Sequence, residues 1–184
     1  MSTSALEPIV PVAPEAEGES GQTQRPFHAL RSALGRFPTG VTVVAAEGFD
    51  GWVYCMTVNS FVSLSLDPPL VMWALRASST RFDALTQCGT FSVNVLAEDQ
   101  VALARRHAKS PPALVPVGDW KERVEGCPVI AGAAAQFVCQ LSAQVPQGDH
   151  VLLVAQIRHF VEGEGHPLLF MSGAFHSGKG LKRL

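Results

Sequence analysis

A chain of 184 residues suits one domain with a substantial core and is short for two of ordinary size. Hydrophobic residues make up 47% and charged residues 16%, so some apolar surface is expected to be covered by a cofactor or by a second copy, a homodimer. A formal charge of −2 removes the electrostatic ground for binding nucleic acid or an anionic membrane, so any anion site must be local.

Residues 1–25 carry Pro8, Pro11, Pro14, four glutamates and no aromatic residue. Such a mixture cannot bury enough surface to offset its ordering entropy, and a disordered tail is expected before a folded domain over 26–184. Phe27, Leu30, Leu34 and Phe37 recur at three and four residues behind Pro26, predicting a helix that ends near Phe37-Pro38. The β-branched run Gly40 to Ala46, the reversal Gly48-Phe49-Asp50-Gly51 and the return Trp52 to Asn59 predict a hairpin. Two further strands, Phe61 to Leu66 and Leu70 to Leu75, flank Asp67-Pro68-Pro69, where the prolines forbid helix.

A short helix is expected from Ser79 to Gln87, ended by Gly89. Phe91 to Val95 then reads as a half-buried strand, and Glu98 to His107 as a helix. Lys109 to Pro128 looks irregular. Phe137, Cys139, Leu141, Ala143 and Val145 alternate with polar residues, predicting a strand with one buried face, and Val151 to Phe160 returns across a turn at Pro146-Gln147-Gly148. Leu168 to Met171 and Phe175 supply short closing strands. Many short strands with few helices imply a mainly β fold, an antiparallel barrel closed to remove its edges.

Several familiar sites are excluded. The run Gly173 to Lys179 nearly fits a phosphate-binding P-loop, but Gly180 replaces the magnesium-binding hydroxyl and too little chain follows for a helix. There is no G-x-G-x-x-G after a strand and no G-x-S-x-G elbow. The histidines lack paired ligand spacing, and a strand would put His159 and Glu162 on opposite faces, so no metal is expected. Cys55, Cys88, Cys127 and Cys139 form no C-x-x-C pair, which suits a reduced cytoplasmic protein. Without a basic region before an apolar run, or a stretch near the roughly 18 apolar residues of a span, neither export by that route nor membrane insertion is expected.

Two segments have the chemistry of an anion and ring site. Met56-Thr57-Val58-Asn59-Ser60 offers small polar groups on a strand, where Thr57 and Asn59 cannot share a face with Met56; it is either the lining of an apolar slot or an ordinary polar edge. Ser78-Ser79-Thr80-Arg81 opens a predicted helix whose free amides favour an anion, with Arg81 or Arg76 adding a bidentate contact; an N-cap with an exposed arginine is the other reading.

The order FPTGVTVV, CMTVNSF, SLSLDPPLVMWAL and ASSTRF from Phe37, joined by Gly148-Asp149-His150, resembles the flavin reductase-like family over about residues 27–176. The resemblance implies a split β-barrel of the FMN-binding type with a few short peripheral helices. It also implies reduction of FMN or FAD by NADH or NADPH, with reduced flavin passed to a partner flavin-dependent monooxygenase. On that resemblance Met56, Thr57, Asn59, Ser60, Ala74, Leu75, Arg76, Ser79, Thr80, Arg81, Arg106 and His107 contact flavin. His150 is the catalytic residue at the nicotinamide side, together with His166, Pro167 and Leu168. The sequence differs from the common family pattern at Cys55, where glycine is frequent, and at His107, where phenylalanine is usual. A flavin-holding electron carrier and a non-catalytic binding or interaction module are the alternatives within the same fold.

Overall fold

The structure is a computed structural model that describes residues 24–109, 111 and 114–181; most of the expected tail lies outside them, and its last two residues, Gln24 and Arg25, belong to the first helix. Two units are distinguished, ending and beginning at Leu34 and Gly35. In the first, helix α1 spans Gln24–Leu34 with Pro26 in its first turn, where the missing amide costs no hydrogen bond.

The second unit is mainly β. Its strands are β1 Thr39–Gly40, β2 Thr42–Glu47, β3 Trp52–Val58, β4 Val62–Leu66, β5 Pro69–Arg76, β6 Thr90–Val95, β7 Val115–Pro116, β8 Arg123–Val124, β9 Cys127–Pro128, β10 Ala135–Gln147, β11 His150–Glu162, β12 Leu168–Met171 and β13 Ala174–Ser177. Two short helices, α2 Phe82–Gln87 and α3 Val101–Ala108, lie between strands. Every pairing is antiparallel, in an eight-stranded sheet ordered β4-β5-β11-β10-β6-β2-β3-β7, a three-stranded sheet β1-β12-β13 and a two-stranded sheet β8-β9. Among the described residues, no helix is long and apolar enough to cross a membrane.

The large sheet curls around one apolar interior. Val44, Val58, Trp73, Leu75, Phe91, Val93, Cys139 and Leu153 pack there with Leu85 from α2, and Trp73 meets Phe91 edge on with ring centres 5.9 Å apart. A second cluster, with Val41, Val43, Ala45, Val53, Cys55, Leu96 and Leu168, lies under α3. The expected closure by hydrogen bonds is not found. β4 and β7 end the ladder unpaired with each other; Phe61, just before β4, stacks on Phe137 of β10 at 6.0 Å, and Ser60, past the end of β3, bonds Ala74 of β5. The result is a split barrel.

Some expected boundaries and burial patterns shift, each for a hydrogen-bonding or packing reason. β6 is buried on both faces, because the segment after β9 covers its outer side; Asn94 donates to Val43 O at 3.0 Å and accepts from Ile130 N at 2.9 Å. Bulges at Val138/Cys139 and Leu141/Ala143 break the alternation of β10, leaving Val145 exposed. Pro146 and Gln147 pair with Val151 and His150, so the turn is Gly148-Asp149, with Gly148 at φ +59°. Helix α2 starts at Phe82 rather than Ser79, since Ser79 accepts from the amides of Arg81 and Phe82 in a preceding turn, and it ends at Gly89 with φ +67°. Helix α3 starts three residues later than expected because Glu98 N is bonded to His166 O and Ala97 N to the Gln100 side chain.

Candidate active site

The strand alternation of β3 sorts the first group of candidate residues. Tyr54, Met56 and Val58 face the barrel interior, while Val53 and Cys55 face the cluster under α3. Thr57 also points that way and donates its hydroxyl to Ala104 O of α3 at 2.8 Å. The Thr57 side chain is therefore a latch, and a ligand at this strand would meet backbone. Such backbone is available: β3 pairs with β7 only at Trp52 and Val53, leaving its outer edge from Tyr54 onward without a strand partner among the described residues. Asn59 is exposed at the strand exit, and Ser60 accepts from Ala74 N at 3.0 Å and donates back to Ala74 O at 3.3 Å. Leu75 is buried in the interior, with Ala74 half-buried on the opposite face of β5.

Arg81 is buried, 5% exposed, so the exposed-arginine alternative does not hold. Its Nη2 donates to His107 O at 3.4 Å and to Lys109 O, satisfying carbonyls that α3 leaves open at its C-terminal end. Burial lowers the Arg81 pKa from its ordinary value. His107, 3% exposed, is pushed down to about 4, first by burial and then by the nearby Arg106 and Arg81 charges, and is neutral at pH 7. Burial raises the Cys55 thiol to about 12 against the pull of the same two arginines, so it is no nucleophile.

Among the described residues, Arg81 Nε and His107 Nδ1 are buried without a hydrogen-bond partner. Each such group costs about 1–3 kcal/mol unless an acceptor or donor arrives. A buried guanidinium with a free N–H, preceded by the half-buried hydroxyl of Ser79 and the exposed one of Thr80, suits a phosphate. The residues present thus fit the phosphate end of a flavin.

A third group meets at the β10–β11 turn. His150 stands opposite Arg76 in the β5–β11 register, and Ala77 N donates to Asp149 O at 3.0 Å, which brings the turn beside the Ser78–Thr80 segment. Asp149 Oδ1 lies 2.7 Å from His150 Nδ1, and Asp149 Oδ2 lies 3.7 Å from Arg76 Nη2. The His150 hydrogen bond is the main cause of a lowered Asp149 pKa, with Arg76 contributing less. An ionised Asp149 on Nδ1 leaves Nε2 of His150 as its outward nitrogen. Asp149 was not singled out in the sequence for a role, although its place directly before His150 in a tight turn was the available signal.

His166, Pro167 and Leu168 lie elsewhere. His166 O holds Glu98 N at 2.8 Å, Pro167 bridges Ala97, and Leu168 is 1% exposed in the cluster under α3. They sit at the entrance to α3 and at the Glu162 end of the β10–β11 ladder, whereas His150 sits at its turn. Within one chain the structure does not bring His150 and exposed His166 together; α3, eight residues and about 12 Å long, separates the His166 contact from the Arg81 cap. No three His, Cys, Asp or Glu side chains among the described residues converge as a metal site.

The family described as flavin reductase like domain matches residues 34–179. This chain belongs to the flavin reductase-like family. It is 43% identical over 155 residues to FMN reductase (NADH) SmoA of Agrobacterium fabrum, covering 84% of this chain and 86% of the relative. It is 38% identical over 168 residues to an NADH-dependent flavin reductase of Rhodococcus, covering 89% and 92%. Among solved structures, the styrene monooxygenase flavin reductase SMOB of Pseudomonas putida superposes with a TM-score of 0.75 at 36% identity, over 84% of this chain and 99% of that one. For a flavin reductase-like chain, the site on β3, α2, α3 and the β10–β11 turn lies wholly inside the matched span.

Proposed function

We propose that this protein reduces free FMN or FAD with NADH or NADPH and releases the reduced flavin to a separate flavin-dependent monooxygenase. The observation that carries this reading is the Arg81–His107 pair, buried and incompletely bonded at the end of α3, beside the open edge of β3. Bound flavin and nicotinamide supply the hydride transfer themselves, which requires stacked rings and excluded water but no protein nucleophile. Arg81 with Ser79 and Thr80 binds the flavin phosphate, and Arg106 adds positive charge near it. The free backbone edge of β3 at Met56 to Val58 meets the ring, with Asn59 and Ser60 at its exit. His150, its Nδ1 held by Asp149, orients the nicotinamide through Nε2. Four free cysteines suit a reducing, cytoplasmic setting.

The protein works as a homodimer in this proposal. Support comes from the outer face of β4, β5 and β11, where Val62, Met72 and Val154 align in register and Leu152 lies opposite Ala74. Val62 is 43% and Leu64 47% exposed, an apolar strip that a second copy would cover.

The test is a steady-state assay crossing both flavins with both nicotinamides, with His150→Ala alongside. The purified protein is expected to oxidise reduced nicotinamide only when flavin is added, and His150→Ala to slow turnover at saturating NADH more than it weakens flavin binding. No flavin-dependent oxidation would overturn the function, and unchanged turnover in the variant would remove His150 from the reaction.

A further inference from the structure

Three of the four free cysteines take no part in the site described above, and two of them meet in one groove. Cys88 caps the C-terminal end of α2 and Cys127 opens β9; with Glu47, Thr90, Glu125 and Pro128 they line an open cavity of about 300 Å3. Cys88 is half-buried and Cys127 is 6% exposed, whereas Cys139 and Cys55 are shut away in the two apolar clusters. The carboxylates of the groove are already engaged. Glu47 pairs with Arg123, and Glu125 Oε1 lies 3.8 Å from His159 Nδ1. The two sulfurs are left as its unused donors. No aromatic ring lines the groove, so it offers little to an organic ligand.

Paired thiolates select a soft cation. Zinc does not fit, because it takes four ligands and no three His, Cys, Asp or Glu side chains converge among the described residues. A two-coordinate monovalent ion needs only the two sulfurs. Both are thiols at neutral pH: burial pushes Cys88 up to about 11 and Cys127 up to about 12, the latter also through the charge of Cys88. Thiols in that state react slowly with oxidants, since the thiolate is the nucleophile, but a metal ion displaces their protons. Arg123 favours that exchange. It is fixed by Gly126 O at 2.6 Å and Val117 O at 3.1 Å, and its charge lowers the Cys127 pKa, opposing the other effects there.

We infer that Cys88 and Cys127 hold one monovalent copper ion between the end of α2 and the β8–β9 hairpin. Binding exchanges two thiol protons for Cu(I) and leaves a singly negative bis-thiolate beside Arg123, with no change of oxidation state. The site stands at the opposite end of α2 from Arg81 and does not depend on the flavin reading.

The test is a competition for Cu(I) against a chromogenic chelator, with ascorbate as the reductant, in the wild-type protein, Cys88→Ser and Cys127→Ser. The wild type is expected to withdraw one ion per chain from the chelator. Each serine variant should lose more than about 100-fold in affinity, beyond the roughly 10–100-fold that loss of an outer partner of a metal ligand costs. Because two protons leave, the wild-type affinity should tighten by about 100-fold per pH unit below the thiol pKa values. A measurement on the wild type alone guards against variants that fail to fold: bound Cu(I) should block alkylation of Cys88, read by peptide mass, and raise the melting temperature by bridging α2 to the hairpin. A wild type that withdraws no copper, a folded serine variant that withdraws it as well as the wild type, or Cys88 alkylated equally fast with and without copper would overturn the inference.

Discussion

Arg81 and His107 owe their properties to burial. A guanidinium in an S-S-T-R run has two ordinary fates, and only the arrival of the C-terminal end of α3 beside the turn before α2 turns it inward onto the carbonyls of His107 and Lys109. Arg81→Ala is expected to weaken flavin binding by about 1.5–3 kcal/mol, the range for a charged hydrogen bond, and to lower the melting temperature by uncapping α3. A titration showing unchanged affinity alongside a lowered melting temperature would leave Arg81 as a cap alone. His107 gives a pH effect. Its pKa is about 4 folded against 6.5 in the ordinary state, so between those values the unfolded chain holds a proton that the native one lacks. Stability from this group is complete above about pH 6.5 and declines as pH falls toward 4, by at most about 3 kcal/mol. His107→Phe, which has no charge to bury, should flatten that part of the curve, as read from urea midpoints between pH 7 and 4.5.

The elements were legible wherever local chemistry sets them. The Gly48–Gly51 reversal, the prolines before β5, Gly89 after α2 and the glycine-bearing turn before β11 each act through backbone conformation, and each was readable without tertiary knowledge. Several of the misread boundaries involve partners distant in sequence. Glu98 is drawn out of α3 by His166, Ser92 and Asn94 are buried by the segment following β9, and the bulges in β10 answer to β11. Thr57 is the same kind of case, since a polar strand residue that suggested a ligand contact bonds Ala104 instead. Thr57→Val should cost about 1 kcal/mol by denaturant unfolding and loosen α3 from β3, visible as faster amide exchange in the helix. Unaltered stability and exchange would show that apolar packing alone holds α3.

Across the whole molecule, the open ladder and the apolar outer face of β4, β5 and β11 belong together, because a sheet that does not close needs its edge and face covered. Met72→Glu combined with Val154→Glu places two charges in adjacent register on that face and should convert the proposed homodimer to monomers in sedimentation at micromolar concentration, with flavin reduction falling while the β-sheet circular dichroism persists. A variant that stays as associated as the wild type would exclude this face as the contact. The sequence by itself determined the strand-rich split barrel, the family and the residue types at the site, because period, turn chemistry and motif order are properties of neighbouring residues. Tertiary structure alone decided how three of those residues are spent: Thr57 and Arg81 on α3, and His166 at the far end of the helix from the Arg81 cap. Hydrogen bonding and desolvation at these places depend on groups tens of residues away, and the local sequence does not encode which group arrives.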